Sequence, residues 1–133
     1  MEVIVCLDDR GGMCFNHRRQ SRDREVVKDV LALAENRPLW MDGASALLFA
    51  GAENVHVAED FLAMAPQGAL CFVEDRALTP YVGQIERLYV YRWNRLYPAD
   101  RYFDLRLEEW QLIETTEFPG YSHERITREA YER

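Results

Sequence analysis

Residues 3–12 read VIVCLDDRGG: five apolar side chains, Val3, Ile4, Val5, Cys6 and Leu7, run directly into Asp8-Asp9-Arg10-Gly11-Gly12. A short continuous apolar run stopped by acids and a glycine pair predicts a strand buried on both faces and ended by a turn. Strands covered on both faces belong to parallel sheets. The same pattern returns at Pro38-Leu39-Trp40-Met41 before Asp42-Gly43, and at residues 69–73 (ALCFV). Residues 88–93 (LYVYRW) form a fourth run, rich in the Tyr and Val that strands prefer.

Helical signals lie between these runs. Ser21 is placed to cap a helix whose first turn carries Asp23 and Glu25, and Val26, Val27, Val30, Leu31 and Ala34 follow at helical spacing. A short helix is expected over residues 46–49, a brief strand over 54–57, a helix over 58–65 closed by Pro66-Gln67-Gly68, and a helical turn over 79–84. Residues 13–19 show no period. Strands alternating with helices predict an α/β fold with a mostly parallel sheet between two helical layers. The C-terminal third differs: residues 110–118 and 125–131 are strand-like and joined through Pro119-Gly120-Tyr121-Ser122, which predicts an antiparallel pair at one edge.

The chain of 133 residues fits one domain, 1–133, without repeat, linker or low-complexity tract. Apolar residues at 48 % and charged residues at 29 % exclude a disordered chain. Cys6, Cys14 and Cys71 lack CxxC spacing and sit in apolar stretches, so they read as small hydrophobes in a reducing, cytoplasmic compartment. No window approaches the roughly 18 apolar residues of a membrane span. A net charge of -7 argues against general nucleic-acid binding. Lys28 is the one lysine among 16 basic residues, and arginine is the better bidentate partner of an anion.

The order of elements and several local strings resemble dihydrofolate reductase. Gly11, Gly12, Asn16 and Asp23 fall in the order of that family's first strand, glycine-containing loop, Asn and acid-bearing helix, with Lys28 at a spacing the family often shows. Pro38 to Met41, Ala69 to Val73, Leu88-Tyr89-Val90, Tyr102-Phe103, Glu109-Trp110 and residues 123–133 are in register with later family segments. The resemblance implies a three-layer α/β/α fold of dihydrofolate reductase type, with Asp23 as the catalytic proton donor to a pterin-like ring. It also exposes departures. The family's cofactor-phosphate stretch corresponds to Asp42, Gly43 and Ser45 with its Arg missing, and its glycine pair after the third strand is Glu74-Asp75 here. Between Phe49 and Glu59 few residues remain where the family carries its adenosine-binding subdomain, and Tyr91 replaces the small hydroxyl residue that supports the acid.

Two features bear on chemistry. Asp23 stands at the edge of the helix's apolar stripe, where burial would raise its pKa and suit it to general-acid work; an acid in a first turn also simply favours the helix dipole. The string Asn16-His17-Arg18-Arg19-Gln20-Ser21-Arg22-Asp23-Arg24 gathers four Arg and one His at a helix start, a suitable ligand-binding site for phosphate or carboxylate, although a solvated charged loop reads the same way. His17, His56 and His123 are far apart in sequence and lack ligand spacing, so no catalytic metal is expected. Ser45, Ser122 and the cysteines lack nucleophile signatures, which disfavours covalent catalysis. Trp93, Tyr97, Tyr102 and Trp110 read as core or interface aromatics, with a homodimer as one use.

The leading expectation is a cytoplasmic reductase-like protein without a cofactor, which binds a small anionic molecule or a protein partner through residues 16–24. The alternatives are an active, NADPH-dependent reductase of a pterin-like substrate with Asp23 as general acid, and an acidic protein-interaction module.

Overall fold

The structure, a computed structural model, describes residues 1–133. Its strands are β1 Glu2–Leu7, β2 Gly12–Phe15, β3 Arg18–Arg19, β4 Leu39–Met41, β5 Val55–Val57, β6 Leu70–Phe72, β7 Arg87–Arg92, β8 Arg101–Tyr102, β9 Gln111–Phe118 and β10 Ile126–Glu132. The helices are α1 Arg24–Ala34, α2 Gly43–Ala46 and α3 Phe61–Met64, with 3₁₀ turns at Leu47–Phe49, Thr79–Gln84 and Leu107–Glu109. The main sheet has seven strands in the order β5-β4-β6-β1-β7-β10-β9. The opening apolar run is its middle: β1 pairs in parallel with β6 (Val3 opposite Cys71) and with β7 (Val5 opposite Val90). β4 and β5 extend the parallel part, while β10 runs antiparallel to β7 and β9 antiparallel to β10, so the edge expected at the C-terminus is there.

The period of two along β1 sends Val3, Val5 and Leu7 to one face and Ile4 to the other, which creates two cores. Ile4 packs with Val26, Val30 and Ala34 of α1 and with Leu39, Met41, Leu70 and Tyr91. Val3, Val5 and Leu7 pack with Cys71, Val73, Leu88, Val90 and, from α3, Phe61 and Leu62. Each such fully buried side chain contributes about 1.5–3 kcal/mol of apolar transfer.

α1 forms because Val26, Val30 and Ala34 recur one turn apart on one face and the chain before them supplies a cap. That cap is Asp23, whose side chain accepts the Glu25 amide at 2.9 Å; the expected cap, Ser21, lies outside the helix. The helix ends where Glu35 turns to φ 53°. Two other expectations need correction. The region 58–65 is helical only over Phe61–Met64. Residues 13–19, which showed no period, form the β2–β3 hairpin, whose two loop residues Asn16 and His17 have φ of 51° and 59°. Both positive values mark a type I′ turn, for which Asn at the first position is the sequence signal; His at the second, where Gly is usual, hid it.

β9 is a long exposed edge, broken by a bulge opposite Ala130 and Tyr131 and carrying Glu114 and Glu117, devices that discourage pairing with another chain. No helix is long and apolar enough to cross a membrane. Leu70 is fully buried in the middle of the sheet and Leu112 on β9 is 49 % exposed. Leu70→Ala should therefore cost about 2–5 kcal/mol in urea denaturation, while Leu112→Ala should stay within about 0.5 kcal/mol of the parent.

Candidate functional site

β4, β6 and β1 run in parallel and end on the same edge of the sheet, where open α/β sheets hold ligands. A cleft of ≈ 710 Å³ lies there. Asp42, Ala44 and Ser45 reach it from the segment after β4, Glu74 and Asp75 from the segment after β6, and His17, Arg18, Arg19, Ser21 and Arg22 from the hairpin and its lead into α1. Ser122 closes one side. Of the sequence-predicted binding residues 16–22, five therefore line one cleft. Asn16 instead donates its amide to Asp100, and Gln20 turns away to donate to Asp8 Oδ2 at 3.0 Å.

The cleft's three acids are already engaged. Arg19 Nε donates to Glu74 at 3.0 Å, and Ser45 Oγ donates to the same carboxylate at 2.7 Å. Asp75 takes Arg101 Nε at 2.8 Å on one oxygen and His17 Nδ1 at 2.9 Å on the other. Asp42 is paired with Arg76 at 3.1 Å. Burial would push the Asp75 carboxyl up, but His17, Cys14 and Arg101 outweigh it, so Asp75 sits below its usual range and is ionised. Arg18 and Arg22 are exposed and make no ion pair within the chain. The hairpin thus spends Arg19 and His17 on the acids beneath it, and the guanidinium groups of Arg18 and, from the lead into α1, Arg22 remain over the opening.

Beside the cleft, Asp23 gathers a network that sequence distance conceals. Its Oδ1 accepts the amides of Glu25 and Tyr121, both at 2.9 Å. Its Oδ2 accepts the amides of Ser122 at 2.9 Å and His123 at 3.1 Å, and contacts His123 Nδ1 at 3.0 Å. Asp23 and His123 are 3 % and 4 % exposed. Gly120 makes this approach possible, since a Cβ there would lie 2.6 Å from Asp23 Oδ2 and 2.6 Å from the His123 carbonyl oxygen. Burial alone would raise the Asp23 pKa, as expected from its place on the helix. The Tyr121 amide, the His123 ring and the Glu25 and Ser122 amides outweigh burial, and hold the carboxyl far below the usual range. The expected raised pKa is therefore reversed, because the donors number more than a lone buried acid would have.

On the far side of the ring, His123 Nε2 lies 2.7 Å from Tyr97 Oη and 3.2 Å from Ser21 Oγ. Trp93 stacks on the ring at 4.6 Å. Nothing local in the sequence joins residues 21, 23, 97 and 123. Tyr91, expected near the acid, instead donates its hydroxyl to Asp29 at 2.6 Å, a carboxylate that Arg128 also holds at 2.7 Å. The apolar slot next to Asp23, between Val26, Val27, Leu48, Phe49, Phe72 and Trp93, has a volume of only ≈ 10 Å³. The thiols of Cys14 and Cys71 are each pushed up to about 12, by burial first, so they stay protonated. No three His, Cys, Asp or Glu side chains cluster as a metal site.

No family model matches the chain, and no curated protein matches it. Among solved structures it is similar to the dihydrofolate reductase of Enterococcus faecalis in complex with NADP(H) and RAB-propyl, with a TM-score of 0.71 and 14 % identity over 99 % of this chain and 95 % of that one. The chain has a dihydrofolate reductase-like fold.

Asp23→Asn would turn an amide NH₂ toward backbone donors and should cost about 2–4 kcal/mol in denaturant unfolding. Gly120→Ala should cost about 1–3 kcal/mol through the same contact. Because folded Asp23 titrates below its unfolded value of 3.8, the unfolded chain binds more protons between the two. Stability should be complete above about pH 5 and fall as pH drops toward 2, with a shallower fall in D23N, read as unfolding free energy against pH.

Proposed function

We propose that this dihydrofolate reductase-like protein does not bind NADPH or transfer hydride, and that its cleft holds a small anionic ligand. Arg18 and Arg22 carry the reading: they overhang a cleft in which every acid already has a basic partner, so the local surplus is cationic in a chain of net charge -7. The bidentate guanidinium groups of Arg18 and Arg22 suit phosphate or carboxylate oxygens.

The residues at the end of β6 do not fit a dinucleotide. The side chains of Glu74 and Asp75 stand where a pyrophosphate would need bare backbone, and Arg19 and Arg101, committed to those acids, are not free to hold it.

Reduction of a pterin-like ring is disfavoured by a further observation. An ionised Asp23 whose oxygens accept four backbone amides has no proton to deliver.

In a calorimeter, inorganic phosphate should bind with Arg18→Ala and Arg22→Ala each weakening it about tenfold, while NADPH should give no heat at micromolar concentration. NADPH binding in that range, or phosphate binding indifferent to both arginines, would overturn the reading.

A further inference from the structure

We propose that Ser21, His123 and Asp23 form a nucleophile, base and orienting acid that hydrolyse an ester at the edge of the cleft. The geometry is that of such a unit: Asp23 Oδ2 lies 3.0 Å from His123 Nδ1, and Nε2 lies 3.2 Å from Ser21 Oγ. Asp23 is ionised, so the ring proton belongs on Nδ1, and Nε2 faces the two hydroxyls as an acceptor. Nε2 has one lone pair and two hydroxyls within reach, Tyr97 Oη at 2.7 Å and Ser21 Oγ at 3.2 Å; Ser21 opens on the cleft, and it takes the lone pair when Tyr97 turns its proton to Ser21 Oγ, 3.2 Å away. Trp93, stacked at 4.6 Å, keeps the ring in the plane that both partners need. The amide of Arg22, which follows the nucleophile in the chain, donates to no acceptor in the protein and is free for an oxyanion.

Ser21 Oγ attacks the acyl carbon and its proton passes to His123 Nε2. The bond to the alcohol breaks, and the departing alkoxide takes that proton. Water then attacks the acyl ester of Ser21, giving one proton to Nε2. The carboxylic acid leaves as Nε2 returns its proton to Ser21 Oγ, and the acid then gives its own proton to solvent. Ser21 and His123 are the catalytic residues; Asp23 acts through the imidazole and is a positioning residue. Arg18 and Arg22 select an acyl group that carries its own negative charge, and this choice alone rests on the anion reading above.

The test uses the full chain and a fluorophosphonate, followed by intact mass and peptide mapping, together with hydrolysis of 4-nitrophenyl acetate and of the mono-4-nitrophenyl ester of succinate. One adduct on Ser21 is expected, and Ser21→Ala should remove it and lower ester hydrolysis about a hundredfold or more with an unchanged thermal midpoint. Asp23→Asn, kept where circular dichroism shows it folded, should lower kcat for ester hydrolysis about a hundredfold or more with KM little changed, because the amide holds the wrong ring tautomer; a merely structural acid would leave kcat unmoved in a folded variant. The anionic ester should be preferred about tenfold, and the preference should vanish when Arg18 and Arg22 are both alanine. No adduct on Ser21, or hydrolysis unchanged in Ser21→Ala, overturns the hydrolytic unit even if phosphate still binds. Hydrolysis that depends on Ser21 but ignores ester charge sinks the anion preference and leaves the unit standing.

Discussion

The carboxylate of Asp23 ties together parts of the chain about a hundred residues apart. It caps α1 through the Glu25 amide and holds the Tyr121, Ser122 and His123 amides of the loop between β9 and β10. A buried carboxylate with four backbone donors is satisfied as an anion, and burial then strengthens each bond by excluding water. The same loop carries His123 into the core and Ser122 to the cleft wall. Helix start, closing strand and cleft edge are therefore fixed by one side chain, and Gly120 is the residue whose missing Cβ lets the loop come that close.

A second set of charges shapes the cleft. Glu74 and Asp75 follow β6 at the point where a phosphate-binding fold would keep the backbone bare. The hairpin supplies Arg19 and His17 to them, and Arg101 comes from β8. These pairs hold the small sheet β3-β2-β8 over the carboxyl end of the large one. The result is an opening whose floor is neutralised and whose rim is positive, in a protein that is acidic overall. Charge pairing here does the positioning, and Arg18 and Arg22 are left unpaired at the rim.

The cleft and the Asp23 network meet at Ser21. Its backbone lies between the hairpin that carries Arg18 and the helix that Asp23 caps. Its hydroxyl faces Nε2 of His123 and opens on the space the arginines overhang. The imidazole of His123, through Ser21, and two unpaired guanidinium groups thus border one volume, on a sheet whose strand ends give both a rigid base.

The sequence by itself determined the sheet. The apolar runs at 3–7, 38–41, 69–73 and 88–93 became β1, β4, β6 and β7, because a strand buried on two faces must be apolar at every position, a signal that needs no partner to be read. It also placed α1 and gathered the arginines of residues 18–24. Tertiary structure decided the rest. Arg19 and His17 were part of that basic string, but only folding set them against Glu74 and Asp75, so the number of free cations was not legible. Asp23 had the spacing of a buried acid, and its low pKa came from amides of residues 121–123, which no local pattern connects to it. Ser21 looked like a helix cap because caps are hydroxyl or acidic residues near a helix start; Asp23, two residues later, won that place because its carboxylate also satisfies the loop. Hydrogen bonds between distant residues leave no periodicity in a sequence, and they are what turn His123 from an isolated residue into the centre of the site.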